Sequence, residues 1–160
     1  MKSIDIKELL LNTFGHLDDK QLMALTIYGE ARGESEEGKI AVGSVILERV
    51  DHRGWDGDTI QEVCLMPYQF SCYLPADPNY PALKLIAQDW ETKYLRSADL
   101  QDCYHIACDM LAGLISRTKE IAENHATQYL TTALRKTKAC PKWVNTMNLV
   151  ALVGSHEFYA

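Results

Sequence analysis

Residues 22–34 read LMALTIYGEARGE. Leu22, Met23, Leu25, Ile27 and Tyr28 form an amphipathic apolar segment, and Asp18 or Asp19 ahead of it is placed to cap a helix reaching Tyr28 or Gly29. That helix delivers one carboxylate, Glu30, just before Arg32, Gly33 and Glu34. Gly33 and Gly38 bracket a turn, and a helical pattern resumes over about 36–50, with Ile40, Val42, Val45, Ile46 and Leu47 in an almost wholly apolar stretch. An acid at the junction of two core helices is partly desolvated, and burial disfavours the charged form of a carboxyl group. A group in that position suits general acid catalysis on a glycosidic oxygen.

Outward from this junction, Ile4, Ile6, Leu9, Leu10 and Leu11 predict a short docking helix over 4–12, within an N-terminal segment 1–18. On the other side, DHRGWDGD (51–58) is a Gly- and Asp-rich loop, and Asp58 or Thr59 caps a short helix through Val63. Residues 66–81 hold Pro67, Pro75, Pro78 and Pro81 among Tyr68, Phe70, Tyr73 and Tyr80. Proline this dense forbids a regular helix, and a long ordered loop is where function tends to sit. Pro81 suits the first turn of a helix over about 81–95, with Leu83, Ile86, Trp90 and Tyr94 at helical spacing. A further helix from Asp99 to about Arg117 places Cys103, Ile106, Ala107, Met110, Leu111 and Leu114 on its core face. After about residue 120 the pattern changes. HATQYLTTA (125–133) and LVALV (149–153) read as irregular or weakly extended. The expectation is one domain over 1–160, mainly α (α+β), with a small β or loop-rich lobe.

Composition bounds the function. A chain of 160 residues with 47% hydrophobic and 24% charged residues is an ordinary globular domain. A formal net charge of −6 argues against broad nucleic-acid binding, which needs a basic surface. The basic run Arg135, Lys136, Lys138 and Lys142 reads as a solvated loop. Apolar runs fall far short of the roughly 20 residues that span a membrane, so no membrane insertion is expected. MKSIDIKELLLNTFG (1–15) is broken by Asp5, Lys7 and Glu8, and does not read as a secretory signal. Synthesis in the cytoplasm and a monomeric state are the expectations. The five cysteines form no C-x-x-C pair and are expected as free thiols. Cys103, His105 and Cys108 do not match zinc spacing and read as fold residues, so neither metal nor cofactor is expected.

Three segments together carry a resemblance: ALTIYGEARGESEEGKIAVGSVILERV (24–50), the stretch 55–73 with PYQFSCY (67–73), and ATQY (126–129) followed by Trp143 and VGSHEFYA (153–160). In this order and spacing the chain resembles, over about 22–160, the cell wall hydrolase family typified by the spore cortex-lytic enzyme SleB. The resemblance implies a lysozyme-like fold and cleavage of the glycan strand of peptidoglycan. It assigns Glu30 as the catalytic acid. The implied reaction is that of lytic transglycosylases, which cut between N-acetylmuramic acid and N-acetylglucosamine and leave a 1,6-anhydro end.

Glycosidases ordinarily use two carboxylates. A lytic transglycosylase dispenses with the second, because the substrate's N-acetyl group assists and the muramic C6 hydroxyl replaces water. Glu34 is the nearest second carboxylate, and reads rather as a structural partner of Arg32 or a helix cap. The resemblance places Gln69, Phe70 and Ser71 at the cleft, with Gln69 and Ser71 bonding sugar or N-acetyl groups and Phe70 either facing the sugar or belonging to the core. It gives Tyr129 a role in positioning substrate or orienting Glu30. Tyr73 is a further aromatic candidate for the cleft, and Trp143 either stacks on a sugar face or caps the core. His156 and Tyr159 are expected to pin the C-terminus against the domain. The chain departs from the family where Gln128 stands for a frequent His and Tyr73 for a frequent Trp, which bears on substrate positioning. A muramidase that transfers to water, and a non-catalytic peptidoglycan-binding domain, are the alternatives. A phage endolysin, released onto the wall from the cytoplasm, fits as a setting, as do a virion-borne lysin and a bacterial prophage gene.

Overall fold

In the computed structural model, which describes residues 5–52 and 57–160, the stretch 22–34 runs from the buried core at 22–27 to the surface at Gly33. Helix α1 (Ile6–Phe14) is capped by Asp5, whose side chain accepts from the Lys7 N–H. Helix α2 (Asp19–Ala31) starts in a reciprocal capping box: Asp18 accepts from the Gln21 N–H at 2.8 Å, and the Gln21 side chain accepts from the Asp18 N–H at 3.0 Å. Residues Leu22 to Ile27 are buried without a break. A helix apolar on every side is a core helix. Helix α3 (Glu36–Asp51), capped by Ser35, and α4 (Ile60–Cys64), capped by Thr59, pack against it.

Ser71–Tyr73 make one 3-10 turn inside the proline-rich segment. The helix expected over 81–95 is two helices, α5 (Tyr80–Gln88) and α6 (Trp90–Arg96). The break is at Asp89, whose backbone leaves the helical region (φ −147) and whose side chain caps α6 through the Thr92 N–H. Helix α7 (Ala98–Leu111) buries Cys103, Ile106, Ala107 and Met110 as expected. It stops well short of Arg117, because the chain turns through Gly113 at φ 75. Leu111 and Leu114, expected on the core face, are therefore exposed, Leu114 at 77%. Helix α8 (Lys119–Asn124) follows.

The small lobe is a three-stranded antiparallel sheet of β1 (Gln128–Thr131), β2 (Leu149–Val153) and β3 (His156–Tyr159), with β3 in the middle. A single-turn helix α9 (Thr132–Arg135) leads out of β1. All four residues of β3 are buried, and Phe158 joins Ala41, Val45, Ile121 and Ala126 in a second core where the sheet meets α3 and α8. This mainly helical domain with a small sheet lobe is the architecture expected. Ile4 and positions 53–56 of the loop read at 51–58 lie outside the described residues.

Several weak acids lie in or against the core. Burial pushes the Cys64 and Cys103 thiols up to about 12. Burial also pushes Cys72, Tyr73 and Tyr129 well above their ordinary values. In the unfolded chain these groups lose protons first, starting near pH 9 for the thiols. The stability they contribute is fully present below that pH and is lost as pH rises towards the folded values. Each group whose folded value is still unreached withdraws up to about 1.4 kcal/mol per pH unit. The expected melting temperature is flat from pH 7 to 8.5 and falls steadily above pH 9. A melting temperature unchanged at pH 10.5 would contradict this.

Candidate active site

Glu30 occupies the last turn of α2, partly buried. Two chain segments remote in sequence reach its two oxygens. The Cys72 N–H donates to Oε1 at 3.2 Å, and the Tyr129 hydroxyl donates to Oε2 at 3.0 Å. Burial, and next the neighbouring Glu30 carboxylate, hold the Tyr129 phenol well above its usual range, so it remains a neutral donor. With both oxygens held, the carboxyl group has a fixed plane facing the cleft.

The proline-rich segment is fixed from below. Tyr73 is 1% exposed; its hydroxyl meets Thr26 Oγ1 at 2.7 Å and its ring meets Phe14 edge-on at 4.9 Å. Phe70 is 2% exposed, and the Arg49 guanidinium lies over its ring at 4.8 Å. Neither aromatic is open to the cleft: Phe70 takes the core place of its two alternatives, and Tyr73 is corrected from a cleft candidate to an anchor. The reason is that a polar, proline-rich loop still needs apolar side chains beneath it to be ordered. Their anchoring leaves Gln69 and Ser71 lining the cleft.

That cleft has a volume of about 500 Å³. Tyr68, Gln69 and Ser71 line it together with Gln128, Tyr129 and Trp143, with Glu30 and Arg49 among them. Trp143 is partly buried and braced edge-on by Tyr159 at 5.3 Å. Tyr159 accepts from Arg135 Nε at 3.1 Å. Loop 66–81 and Tyr129 thus meet at Glu30, as the sequence reading requires.

Glu34 does not line this cleft. Its Oε1 accepts from the Ser155 N–H at 3.3 Å and from the Ser155 hydroxyl, and lies 3.1 Å from His156 Nδ1. Nor does it pair with Arg32, which donates to Asn79 at 2.7 Å and sits over the Tyr28 ring. Glu34 is corrected to a clasp between the start of α3 and the β2–β3 turn. His156, buried, lines the cleft beside it and packs on Tyr129 at 5.3 Å. Cys103 is buried on α7, while the exposed His105 turns to the Tyr94 hydroxyl at 3.3 Å.

Three residues that position the site escaped sequence reasoning. Tyr68 stands at the rim. Arg49 donates from Nε to the Thr127 carbonyl at 2.8 Å and so ties α3 to the start of β1. Its signal is slight: Glu48 and Arg49 follow the apolar run Val45–Leu47, and nothing local tells which charge turns inward. Gly29 lets the 3-10 turn approach α2: a Cβ there would come within 2.7 Å of Cys72 Sγ and 2.8 Å of its Cβ. Alanine in a helix gains about 1 kcal/mol over glycine. Overpacking costs about 1–3 kcal/mol, so the clash prevails. Gly29→Ala is expected to be less stable and, because Cys72 must shift away from Glu30, at least about tenfold less active. Full activity in Gly29→Ala would show that the Cys72 contact does not orient the acid.

A family model described as Cell Wall Hydrolase matches residues 33–159, beginning three residues after Glu30. The chain is also similar to spore cortex-lytic enzymes. It is 46% identical to that of Oceanobacillus iheyensis over 54 residues, which is 34% of this chain and 19% of that protein. It is 37% identical to that of Bacillus cereus over 73 residues, 43% of this chain and 28% of that protein. With that of Halalkalibacterium halodurans it shares 43% over 54 residues, 34% of this chain and 16% of that protein. The matched part of the chain spans less than a third of the length of each of these relatives. No solved structure matches the chain. A family match over most of the sequence, on a helical domain whose small sheet closes a cleft around one acid, places the chain in the cell wall hydrolase family.

Proposed function

We propose that the chain degrades peptidoglycan by cleaving the β-1,4 bond between N-acetylmuramic acid and N-acetylglucosamine, as a lytic transglycosylase with Glu30 as its acid and base. The observation that carries this reading is that Glu30 is the sole carboxylate lining the cleft among the described residues. A hydrolase of the ordinary kind places a second carboxylate some 5–9 Å away to hold water or form a glycosyl ester. Glu34, the nearest alternative in sequence, is engaged with Ser155 and His156.

In the proposed cycle, the glycan lies along the cleft with its bridging oxygen about 3 Å from the protonated Glu30 carboxyl. Glu30 gives its proton to that oxygen as the bond to the muramic C1 breaks, and the N-acetylglucosamine part leaves as an alcohol. The muramic C6 hydroxyl then attacks C1, and its proton returns to the Glu30 carboxylate. No water is consumed and the acid is regenerated. Tyr129 and the Cys72 N–H keep the carboxyl plane fixed through both transfers. Gln69 and Ser71 are proposed to bind hydroxyl or N-acetyl groups of the sugars. Support comes from the family match and from the spore cortex-lytic enzymes it resembles.

Mass spectrometry of the products of purified peptidoglycan tests the reading. A 1,6-anhydro end is lighter than a reducing end by one water and is the expected product. Reducing ends would favour a muramidase, and intact peptidoglycan a non-catalytic binding domain. The setting proposed is a phage endolysin. Its test is expression inside a bacterial host, where lysis is expected only when a membrane pore is supplied as well.

A further inference from the structure

We propose that Tyr68 is a saccharide-stacking platform: a subsite at the rim of the Glu30 cleft that holds one pyranose ring of the glycan against the tyrosine face. The proposal rests on the reading of the cleft as a glycan site. Its starting point is the backbone. Tyr68 sits at φ 66, in the left-handed region that glycine adopts freely and a bulky side chain rarely does. Its side chain is 70% exposed, so burial does not offset the strain. Among the described residues, His125 is the other non-glycine at positive φ, but it ends α8, where the left-handed conformation is ordinary. Tyr68 follows no helix end of that kind. Strain kept at an exposed aromatic on a cleft rim points to function.

The surroundings hold the ring out. The Gln69 N–H donates to the Met66 carbonyl at 3.2 Å and closes a turn around Tyr68. Two residues on, Phe70 is pinned beneath Arg49. The turn on one side and the Phe70 and Cys72 contacts on the other thus fix the backbone on both sides of Tyr68. The ring is therefore presented at the cleft together with Gln69 and Ser71. A flat apolar face flanked by an amide and a hydroxyl matches a pyranose, which offers a C–H face and hydroxyls at its edge. The occupant is a neutral sugar face rather than a nucleotide, since the cleft is lined by the Glu30 carboxylate as well as by Arg49 and the chain as a whole carries a net charge of −6.

Three variants test this. Binding is measured by co-sedimentation with peptidoglycan sacculi in a Glu30→Gln background, so that turnover does not enter. Tyr68→Gly, which removes both ring and strain, is expected to melt no lower than its parent yet bind about tenfold more weakly. In the active enzyme it is expected to raise KM with little change in kcat. Tyr68→Phe keeps the face and is expected to bind within about twofold of the parent. Undiminished binding by Tyr68→Gly overturns the proposal, as does a loss of affinity matched by a loss of melting temperature, or a parent that does not bind sacculi. The catalytic reading fails separately, if Glu30→Gln cleaves normally while Tyr68→Gly still loses affinity.

Discussion

Glu30→Gln is expected to lower peptidoglycan cleavage at least about a hundredfold, the low end for loss of a general acid. The substitution is nearly isosteric. The glutamine carbonyl can still accept the Cys72 N–H that now reaches Oε1 at 3.2 Å. The amide then faces the Tyr129 hydroxyl, which can turn from donor to acceptor, so both contacts survive. The melting temperature is expected to stay within a few degrees of the parent. What is lost is the proton itself, because an amide does not donate as a carboxylic acid does. Glu34→Gln is the control. It keeps an acceptor for Ser155 and stays outside the cleft, so activity within about tenfold of the parent is expected. More than a tenth of parental activity in Glu30→Gln would remove Glu30 from the mechanism. An equal collapse in Glu34→Gln would favour a two-carboxylate hydrolase.

How much of this was legible depended on whether a residue's surroundings are local. The starts of α2 and α4 are readable because a cap is written within four residues, Asp18 with Gln21 and Thr59 with Glu62, whereas α2 runs on to Ala31, past the end expected at Tyr28 or Gly29. The break at Asp89 is not readable, since Leu83, Ile86, Trp90 and Tyr94 keep helical spacing across it. Strand β3 was hidden because four buried residues in a row carry no alternation. The convergence of loop 66–81 and Tyr129 on Glu30 came from the family resemblance, not from periodicity. Within that loop the sequence does not tell which aromatic is buried: Phe70 fits core or cleft equally, Tyr73 reads as a cleft residue and is an anchor, and Tyr68 is the exposed one. Tyrosine and phenylalanine look alike in sequence whether they anchor a loop or crown it. The difference lies in Thr26, Phe14 and Arg49, which are close only after folding.

Arg49 shows the same point in its energetics, and Arg49→Met is expected to cost about 2–4 kcal/mol of stability. The residue is 2% exposed. Replacing a buried charge by an apolar side chain of similar length can be neutral, because the desolvation of the charge is recovered. Here the partners that remain decide otherwise. The Thr127 carbonyl, now 2.8 Å from Arg49 Nε, loses its donor in a buried place, at about 1–3 kcal/mol. The cation held 4.8 Å over Phe70 adds about 0.5–2 kcal/mol. Activity is expected to fall further than stability under conditions where the variant is folded. Thr127 leads into β1 and hence to Tyr129, and Phe70 leads to Cys72, so both donors to Glu30 hang on one guanidinium. Arg49→Lys keeps the charge but lacks Nε and the flat face, and is expected to fall between the two. Urea unfolding with a shared slope, read beside activity at low denaturant, measures both effects. An Arg49→Met variant within about 0.5 kcal/mol of the parent and fully active would mean that α2 and the sheet lobe hold Glu30's two donors in place without it.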